Sequence, residues 1–383
     1  MKDKIIYLDR QNFPYKNYQE DIDNYRFLYA ALGDAGVSTK SNLVNQFEIE
    51  LSNYFNVHHN NIIATNSGTS ALHLAIKDFK YLGNNVVILP IITFIATANA
   101  ISYCKYKLKF VDVDEKTWCI NQSHILSEYN SLLFYEKIKN NVSIVYVDLY
   151  GNISPILNVE ENNYFNYPKI IVDASHSFGL SPDISRLNKV NYFTYSFNGN
   201  KIMTTGAGGA ILRGNLGSDY NEVLRRLSQQ GKDDNDEFID VGYNYRMGGI
   251  NAALGLMQLE YIDFLVKKKS RINEIYRKEL KDIVVFQESE PYVKPVWWLT
   301  ACLFQEGIDI DKLKEDLYNK YRIETRRIFK PLNQYKPYLS NKKYPIAEMI
   351  YNRGLCLPSS TLNSDEDIYY VCKTIKNILG ERQ

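Results

Sequence analysis

The sequence predicts an α/β fold: a large domain with a mostly parallel central sheet, followed by a smaller α+β domain. In the first half, short apolar runs rich in Val and Ile alternate with amphipathic runs, which is typical of strands covered by helices on both faces. Near residue 250 this alternation gives way to long helical periodicity. We therefore expect a large domain over residues 1–250 and a smaller one over residues 251–383.

The elements of the first half follow from this alternation. Several apolar runs are nearly continuous, which favours strands buried on both faces. Expected strands cover residues 86–89, 110–113, 143–149, 169–172, 192–197 and 209–212, and expected helices cover residues 70–79 and 96–103.

Helices dominate the second half. Residues 250–280 contain no proline, and no glycine follows Gly255, which predicts one long helix or two in tandem. A strand near residues 297–304 and a helix over residues 309–321 are expected next, and two further helices complete the chain.

The final helix has the clearest sequence signal. Ser364 and Asp367 have the spacing of a capping box, in which each side chain accepts a hydrogen bond from the other residue's backbone. The apolar residues that follow recur on one stripe of a helix: Ile368, Val371, Cys372, Ile375, Ile378 and Leu379.

Composition excludes several function classes. The chain has 383 residues, 45 Lys and Arg against 44 Asp and Glu, and a net charge of +1, which provides no field for nucleic acid or an anionic membrane. No apolar run is long enough for a signal peptide or a membrane span. The five cysteines have no metal-ligand spacing, so we expect free thiols and a cytoplasmic protein.

The first chemical motif is the sequence NSGTS at residues 66–70, directly before an amphipathic run. A helix that begins here presents unpaired backbone N–H groups, which suit a phosphate. Gly68 allows close approach of the anion, and Thr69 adds a hydroxyl. On its own, the motif is more typical of a helix cap that binds nothing.

The second motif ends an apolar strand. Asp173 follows residues 169–172, so it lies at the carboxyl edge of the expected sheet, where ligands bind in such folds. A half-buried carboxylate there needs a cationic partner. His176 lies three residues further on and could contact the same ligand.

The third motif places a lysine in a short turn. Ser196 closes one strand, Lys201 follows, and glycines at residues 206, 208 and 209 lead into the next strand. Because the surrounding residues look packed, we expect the lysine to point inward. A desolvated lysine has a lowered pKa and can form a Schiff base, although most loop lysines are solvated.

Together these motifs meet the requirements of pyridoxal 5′-phosphate. A lysine can bind its aldehyde, an aspartate can keep its pyridine nitrogen protonated, and a helix N-terminus can bind its phosphate.

The sequence resembles the sugar-nucleotide aminotransferases of the DegT/DnrJ/EryC1/StrS family, which have the type I aminotransferase fold. The resemblance spans roughly residues 25–380. Matching blocks cover residues 66–75, 90–101, 110–114, 173–179, 196–209, 242–260, 325–333 and 344–359.

The resemblance implies a role for each matching residue. Lys201 would be the catalytic lysine, which binds the cofactor and then moves the proton. Asp173 would face the pyridine nitrogen, and His176 the ring hydroxyl. Phe94 would stack on the ring.

The resemblance also implies how the cofactor phosphate is bound. Gly68, Thr69 and Ser196 would contact it within one subunit. Asn244 would reach it from the neighbouring subunit, so the protein would be a homodimer with shared active sites. Arg246 and Asn333 are candidate substrate residues, although Arg246 is equally explained as an interface or structural arginine.

Three segments point to one branch of the family: residues 197–202, 231–234 and 355–360. That branch aminates UDP-linked 2-acetamido-2,6-dideoxy-4-keto-hexoses at C4, for surface glycans. The resemblance thus implies a nucleotide-sugar substrate and L-glutamate as amino donor.

Four positions depart from the family pattern: Asp148, Ala207, Asn333 and the pair Gly248-Gly249. We expect them near the substrate, so a different ketone stays open, such as a C3-keto sugar, a cyclitol or an aminoshikimate-type ring. A sugar dehydratase of the family would carry His in place of Lys201. A non-catalytic family member is the remaining alternative.

Overall fold

The computed structural model describes residues 4–10, 26–33, 36–79, 85–134, 142–156, 168–180, 184–214 and 221–380. The helices are α1 (Arg26–Leu32), α2 (Asn42–Phe55), α3 (Gly68–Lys77), α4 (Ile95–Tyr103), α5 (Gln122–Phe134), α6 (Ile184–Lys189), α7 (Asn221–Ser228), α8 (Gly249–Leu259), α9 (Ile262–Leu280), α10 (Ile310–Tyr321), α11 (Pro345–Arg353) and α12 (Asp365–Gly380). The strands are β1 (Ile62–Thr65), β2 (Val86–Pro90), β3 (Lys107–Val111), β4 (Val142–Val147), β5 (Lys169–Asp173), β6 (Tyr192–Ser196), β7 (Gly209–Arg213), β8 (Val285–Phe286), β9 (Thr300–Leu303), β10 (Arg326–Arg327) and β11 (Gly354–Leu357).

The α/β architecture predicted from the sequence is confirmed. A seven-stranded sheet has the order β1-β7-β6-β5-β4-β2-β3. Its pairs from β3 through β6 are parallel, and β7 is antiparallel to both β6 and β1. A four-stranded antiparallel sheet, in the order β10-β11-β9-β8, lies in the second half.

Three strands of the seven-stranded sheet differ from the expectation, and the short strands β8, β10 and β11 of the second sheet are also absent from the predicted set. β1 is absent from the predicted set, because four residues carry too little periodicity to be distinguished. β3 begins at Lys107 and is only partly buried along most of its length, since it lies at the sheet edge. β4 ends at Val147 because the next residue, Asp148, turns into a buried ion pair with Arg186.

The second half follows the predicted helices closely. Residues 250–280 form two helices in tandem, α8 and α9. The capping box of α12 is confirmed: the Ser364 N–H donates to Asp367 Oδ2 at 2.8 Å, and the Asp367 N–H donates to Ser364 Oγ at 3.2 Å. Its apolar stripe packs against α9 and α10.

Two apolar clusters form the core of the described chain. The larger surrounds the seven-stranded sheet and also includes Trp298, Ile328 and Ile350 from beyond residue 250. The smaller joins α9, α10 and α12 to the antiparallel sheet. The chain after residue 250 therefore completes the first core as well as its own, and a domain boundary near residue 250 stays a prediction. Among the described residues, no helix has the length and hydropathy of a membrane span.

Candidate active site

A cavity of about 310 Å³ brings the three sequence motifs together. The predicted residues that line it are Gly68, Thr69, Phe94, Asp173, His176, Ser196 and Lys201. A larger space of about 560 Å³ lies beside Arg186 and Tyr195. It contains none of the predicted site residues and adjoins segments outside the described ranges, so the smaller cavity is the candidate site.

The sheet topology explains this convergence. Asp173 ends β5 and Ser196 ends β6, and these strands are parallel. β1 runs in the same direction as β6, because β7 lies between them and is antiparallel to both. The start of α3, which follows β1, therefore lies at the same carboxyl edge, where ligands bind in open α/β sheets.

The start of α3 has the form of a phosphate-binding site. Ser67 caps the helix by accepting a hydrogen bond from the Ser70 N–H at 3.1 Å. A Cβ added at Gly68 would lie 2.7 Å from Ser196 Cβ, so only glycine allows the helix to begin this close to the end of β6. The first-turn N–H groups at Gly68 and Thr69 have no partner within the helix, which suits an anion.

Asp173 is held as a buried acceptor. It is 5% exposed; Oδ2 accepts from Thr97 Oγ1 at 2.7 Å, and Oδ1 accepts from the Ser175 N–H at 3.2 Å. No ion pair joins it to the described part of the chain, so the cationic partner expected from the sequence is not supplied by these residues. Its carboxylate is thus available to a positively charged ligand group.

Lys201 is buried, as the packed sequence around it predicts. Its pKa falls from 10.5 to about 7, chiefly because burial removes water from the ammonium group. Asp173 and Asp9 oppose this shift, and the charge of Arg326 adds to it. Its Nζ lies 4.1 Å from the centre of the Trp298 ring. Much of this lysine is therefore a neutral amine near neutral pH, as a nucleophile requires.

His176 has a defined tautomer. Its Nδ1 accepts a hydrogen bond from the Tyr150 N–H at 3.3 Å, so the neutral ring carries its proton on Nε2. Burial, with the charges of Lys201 and Arg326, holds the pKa of His176 well below its ordinary value. The imidazole stacks on Trp298 at 4.3 Å between ring centres. It can therefore donate one hydrogen bond from a fixed position.

Phe94 differs from these residues because it is exposed. It precedes α4, and its side chain is 52% exposed although it lines the cavity. Its ring centre lies 5.9 Å from that of Phe329. An aromatic ring bound in the cavity could bury its free face.

Three predicted residues lie outside this cavity. Asn244 is exposed, and its backbone oxygen accepts from Asn66 Nδ2 at 3.0 Å. Arg246 is half-buried and forms a β-bridge with Thr65. Asn333 is buried, where its Nδ2 donates to the backbone oxygens of residues 340 and 342 at 3.3 and 2.9 Å. Their site roles stay predictions.

Of the four departures from the family pattern, only Ala207 lines the cavity. Asp148 is fully buried, pairs with both Nη atoms of Arg186 and accepts from Ser177 Oγ at 2.7 Å. Gly249 begins α8 against Gly36, whose oxygen would lie 1.5 Å from an added Cβ. These two positions are therefore explained by packing.

Trp298, Arg326 and Phe329 also line the cavity and are not among the residues predicted for it. They come from the second half of the chain, near β9 and β10. Arg326 and Phe329 lie in the family-like block TRRIFKPLN at residues 325–333. This match could have marked both residues as candidates for the site. Trp298 has no comparable signal, because a tryptophan before a strand usually belongs to the core.

Comparisons with known proteins show which family and fold the chain resembles. Residues 24–376 match the profile of the DegT/DnrJ/EryC1/StrS aminotransferase family. A GDP-perosamine synthase of Escherichia coli O157:H7 is 31% identical, covering 93% of this chain and 95% of that protein. A UDP-4-amino-4,6-dideoxy-N-acetyl-beta-L-altrosamine transaminase of Campylobacter jejuni is 28% identical, covering 94% and 95%. The PLP form of the putative sugar aminotransferase Spr1654 of Streptococcus pneumoniae has the same fold, with a TM-score of 0.82, 20% identity and 99% coverage of both chains.

Proposed function

The chain belongs to the DegT/DnrJ/EryC1/StrS aminotransferase family, and from that premise we propose that it transfers an amino group to a keto sugar carried on a nucleotide, using pyridoxal phosphate. The observation that carries the proposal is the convergence of Lys201, Asp173 and the start of α3 on one cavity. The family and the names of the relatives indicate a pyridoxal-phosphate-dependent sugar aminotransferase.

The cavity residues fit the cofactor. Its phosphate would bind at Gly68, Thr69 and Ser196, Asp173 would face its pyridine nitrogen, and Phe94 would cover its ring. The bound group supplies an electron sink for the carbanion made at the substrate carbon.

The protein's own residues supply the proton chemistry. Lys201 Nζ, once released from the cofactor, has a substantial neutral fraction near pH 7 because its pKa is about 7, so it can take a proton from one carbon and return it to another. The hydrogen bond from Thr97 holds Asp173 in a fixed orientation. His176 can donate from Nε2 to the ring oxygen. Its lowered pKa keeps a second positive charge away from Lys201.

We propose amination at C4 of a UDP-linked 2-acetamido-2,6-dideoxy-4-keto-hexose, with L-glutamate as donor, on a route to a surface glycan. The support is the resemblance of residues 197–202, 231–234 and 355–360 to that branch, together with the Campylobacter relative's name. A Shigella dysenteriae relative is named a dTDP-4-amino-4,6-dideoxy-D-glucose transaminase, which also favours C4 and a 6-deoxy sugar.

A GDP-linked sugar is the second candidate. The E. coli relative at 31% identity and a Caulobacter vibrioides relative at 32% identity are both named GDP-perosamine synthases. Amination of another ketone, such as a C3-keto sugar or cyclitol, has no such support among these names.

We also propose a cytoplasmic homodimer. The described cysteines are all free thiols, which suits a reducing compartment. Near Asn244, the side chains of Phe238, Ile239 and Val241 are 70%, 57% and 91% exposed, which favours their burial against a second copy. If Asn244 serves the partner's site, a mixed dimer of Lys201→Ala and Asn244→Asp chains regains activity in one of its two sites.

The visible absorbance spectrum tests the proposal first. We expect a yellow protein whose band moves to the ultraviolet when L-glutamate is added, and returns when the correct keto sugar is added. UDP-, GDP- and dTDP-linked 4-keto-6-deoxy sugars, compared by single-turnover rate, decide the nucleotide. A protein that stays colourless with added cofactor contradicts the proposal and favours a non-catalytic family member.

A further inference from the structure

The segment over residues 4–10 places a carboxylate, Asp9, beside the turn that carries Lys201. Asp9 Oδ2 accepts a hydrogen bond from Asn200 Nδ2 at 3.1 Å and lies 3.6 Å from Arg326 Nη1. Asn200 directly precedes Lys201, and Arg326 lines the same cavity. The Asp9 side chain is 20% exposed, so water and salt screen its charge less than at an open surface. Asp9 does not line the cavity itself and acts on it through these neighbours.

The backbone on both sides of this carboxylate is held by the second half of the chain. The Leu8 N–H donates to Glu324 Oε2 at 3.2 Å, and the Leu8 backbone oxygen accepts from the Ser359 N–H at 2.6 Å. The Arg10 backbone oxygen accepts from Ser360 Oγ. Because both flanking residues are hydrogen-bonded, the carboxylate has a fixed position before any ligand binds.

Asn200 is held from two directions. Its side chain donates to Asp9, and its backbone oxygen accepts from Trp298 Nε1 at 2.6 Å. The Lys201 N–H donates to the Asn198 backbone oxygen at 2.9 Å, which closes the turn. A turn held at the residue before the lysine limits the directions in which the lysine side chain can point, and such limits favour reaction over free motion.

Two carboxylates, one guanidinium and one imidazole act on Lys201. Burial lowers its pKa to about 7; Asp173 and Asp9 oppose this lowering, and Arg326 adds to it. His176 is neutral beside it, because burial holds its own pKa well below the ordinary value. In the proposed function Asp173 faces the cofactor ring. Asp9 is then the carboxylate that offsets Arg326 at the amine.

We infer that Asp9 is a positioning residue, which holds the turn between Asn200 and Lys201 and balances the positive charge of Arg326 beside the reacting amine. This inference rests on the proposed function, in which Lys201 takes a proton from one carbon and returns it to another. Such a group must gain and lose a proton near the working pH. Without Asp9, the charge of Arg326 would be less compensated and the protonated lysine less stable.

The test compares Asp9→Asn with Asp311→Asn. Asp9→Asn keeps the size of the side chain and removes its charge. Asp311 is the matched control, since its Oδ1 lies 3.7 Å from Nη1 of Arg327, the next residue on β10, which does not line the cavity. The visible absorbance of the cofactor-loaded proteins is titrated from about pH 5 to pH 10, which reports protonation of the Lys201 nitrogen bonded to the cofactor.

We expect the midpoint of this titration to fall by about 0.5 to 1 pH unit in Asp9→Asn, because loss of a nearby negative charge destabilises the protonated nitrogen. In Asp311→Asn it should stay within about 0.2 pH unit of wild type. The single-turnover rate with L-glutamate at pH 7 should fall about 5- to 10-fold in Asp9→Asn alone. Asp9→Ser, which also removes the charge, replaces Asp9→Asn if that variant does not fold.

A second measurement needs no cofactor. Acetic anhydride acetylates the neutral amine only, and mass spectrometry of the peptide that contains Lys201 gives its labelling rate against pH in the cofactor-free full chain. The midpoint should again fall in Asp9→Asn and stay unchanged in Asp311→Asn.

Two results would overturn the inference. One is a folded Asp9→Asn protein with reduced stability and unchanged midpoints, which would make Asp9 purely structural. The other is an equal shift in both variants, which would reflect the net charge of the protein. Failure of the proposed function is separate, because there the wild-type protein would show no visible band with added cofactor, whereas the labelling of Lys201 would still respond to Asp9→Asn.

Discussion

Two buried lysines, Lys201 and Lys269, have the same pKa shift and different surroundings. Lys201 is 9% exposed and Lys269 is 1% exposed. Burial lowers the pKa of each from 10.5 to about 7. A shifted pKa alone would therefore mark both as functional candidates.

The hydrogen bonds separate the two sites. Lys269 Nζ donates to the backbone oxygens of Trp298 at 3.0 Å and Ser359 at 2.6 Å, which joins α9 to the segments before β9 and after β11. Lys201 Nζ makes no hydrogen bond to the described residues, and it faces a cavity and an aromatic ring. A buried lysine with satisfied donors is structural, whereas one with free donors beside a cavity can react.

The two sites meet at Trp298. Its backbone oxygen accepts from Lys269, and its ring contacts Lys201 and His176. The structural lysine thus helps to position the ring beside the reactive one. This connection and the contrast above can be tested by four substitutions.

The largest effect is expected from Lys201→Ala. It removes the group that binds the cofactor and moves the proton, so turnover should fall by at least about 10³-fold, while the cofactor still binds without a covalent bond. Single-turnover absorbance with L-glutamate measures this loss. Lys269→Met is the matched control and should retain turnover well above that level; equal loss in both variants would remove the distinction between the lysines.

Gly68→Ala tests the phosphate-binding side of the reactive site. The new Cβ would lie 2.7 Å from Ser196 Cβ and displace the start of α3 from the end of β6. We expect the Kd for pyridoxal phosphate to rise about 10-fold, as after loss of one good hydrogen bond. Gly380→Ala, where an added Cβ meets nothing within 4 Å, should leave cofactor binding unchanged.

Lys269→Met tests the structural site through pH. Because the folded pKa is about 7 and the unfolded value 10.5, the unfolded chain binds more protons between these limits, so Lys269 makes the free energy of unfolding rise with pH. The difference in that free energy between wild type and Lys269→Met should grow by up to about 1.4 kcal/mol per pH unit above pH 7. Urea unfolding of cofactor-free protein at pH 7, 8 and 9 measures it. A difference independent of pH would show that Lys269 is not desolvated.

Trp298→Phe should have the smallest effect. The variant keeps an aromatic ring beside Lys201 and His176 but loses the hydrogen bond from Trp298 Nε1 to the Asn200 backbone oxygen at 2.6 Å. We expect kcat to fall about 5- to 10-fold with little change in stability, the cost of one positioning hydrogen bond. A fall as large as that of Lys201→Ala would instead make Trp298 part of the chemistry.

Much of the candidate site can be predicted from local sequence. Asp173, Ser196 and Gly68 lie at element ends that apolar runs and small residues mark, and parallel strands bring such ends to one edge. The capping box and stripe of α12 are predicted for the same reason, since both depend on residues only a few positions apart. The sequence alone therefore determined the α/β class, six of the seven strands of the large sheet, the identities at the sheet edge and the family resemblance.

Only the tertiary structure decided which distant residues complete the site. Trp298 and Arg326 reach the cavity because the second half of the chain packs onto the first core, and no local period encodes that contact. The same holds for the hydrogen bonds that make Lys269 structural and for the ion pair that buries Asp148. Burial and pairing depend on neighbours far apart in the chain, so residue type and spacing suggest a chemistry, and packing decides which side chains can perform it.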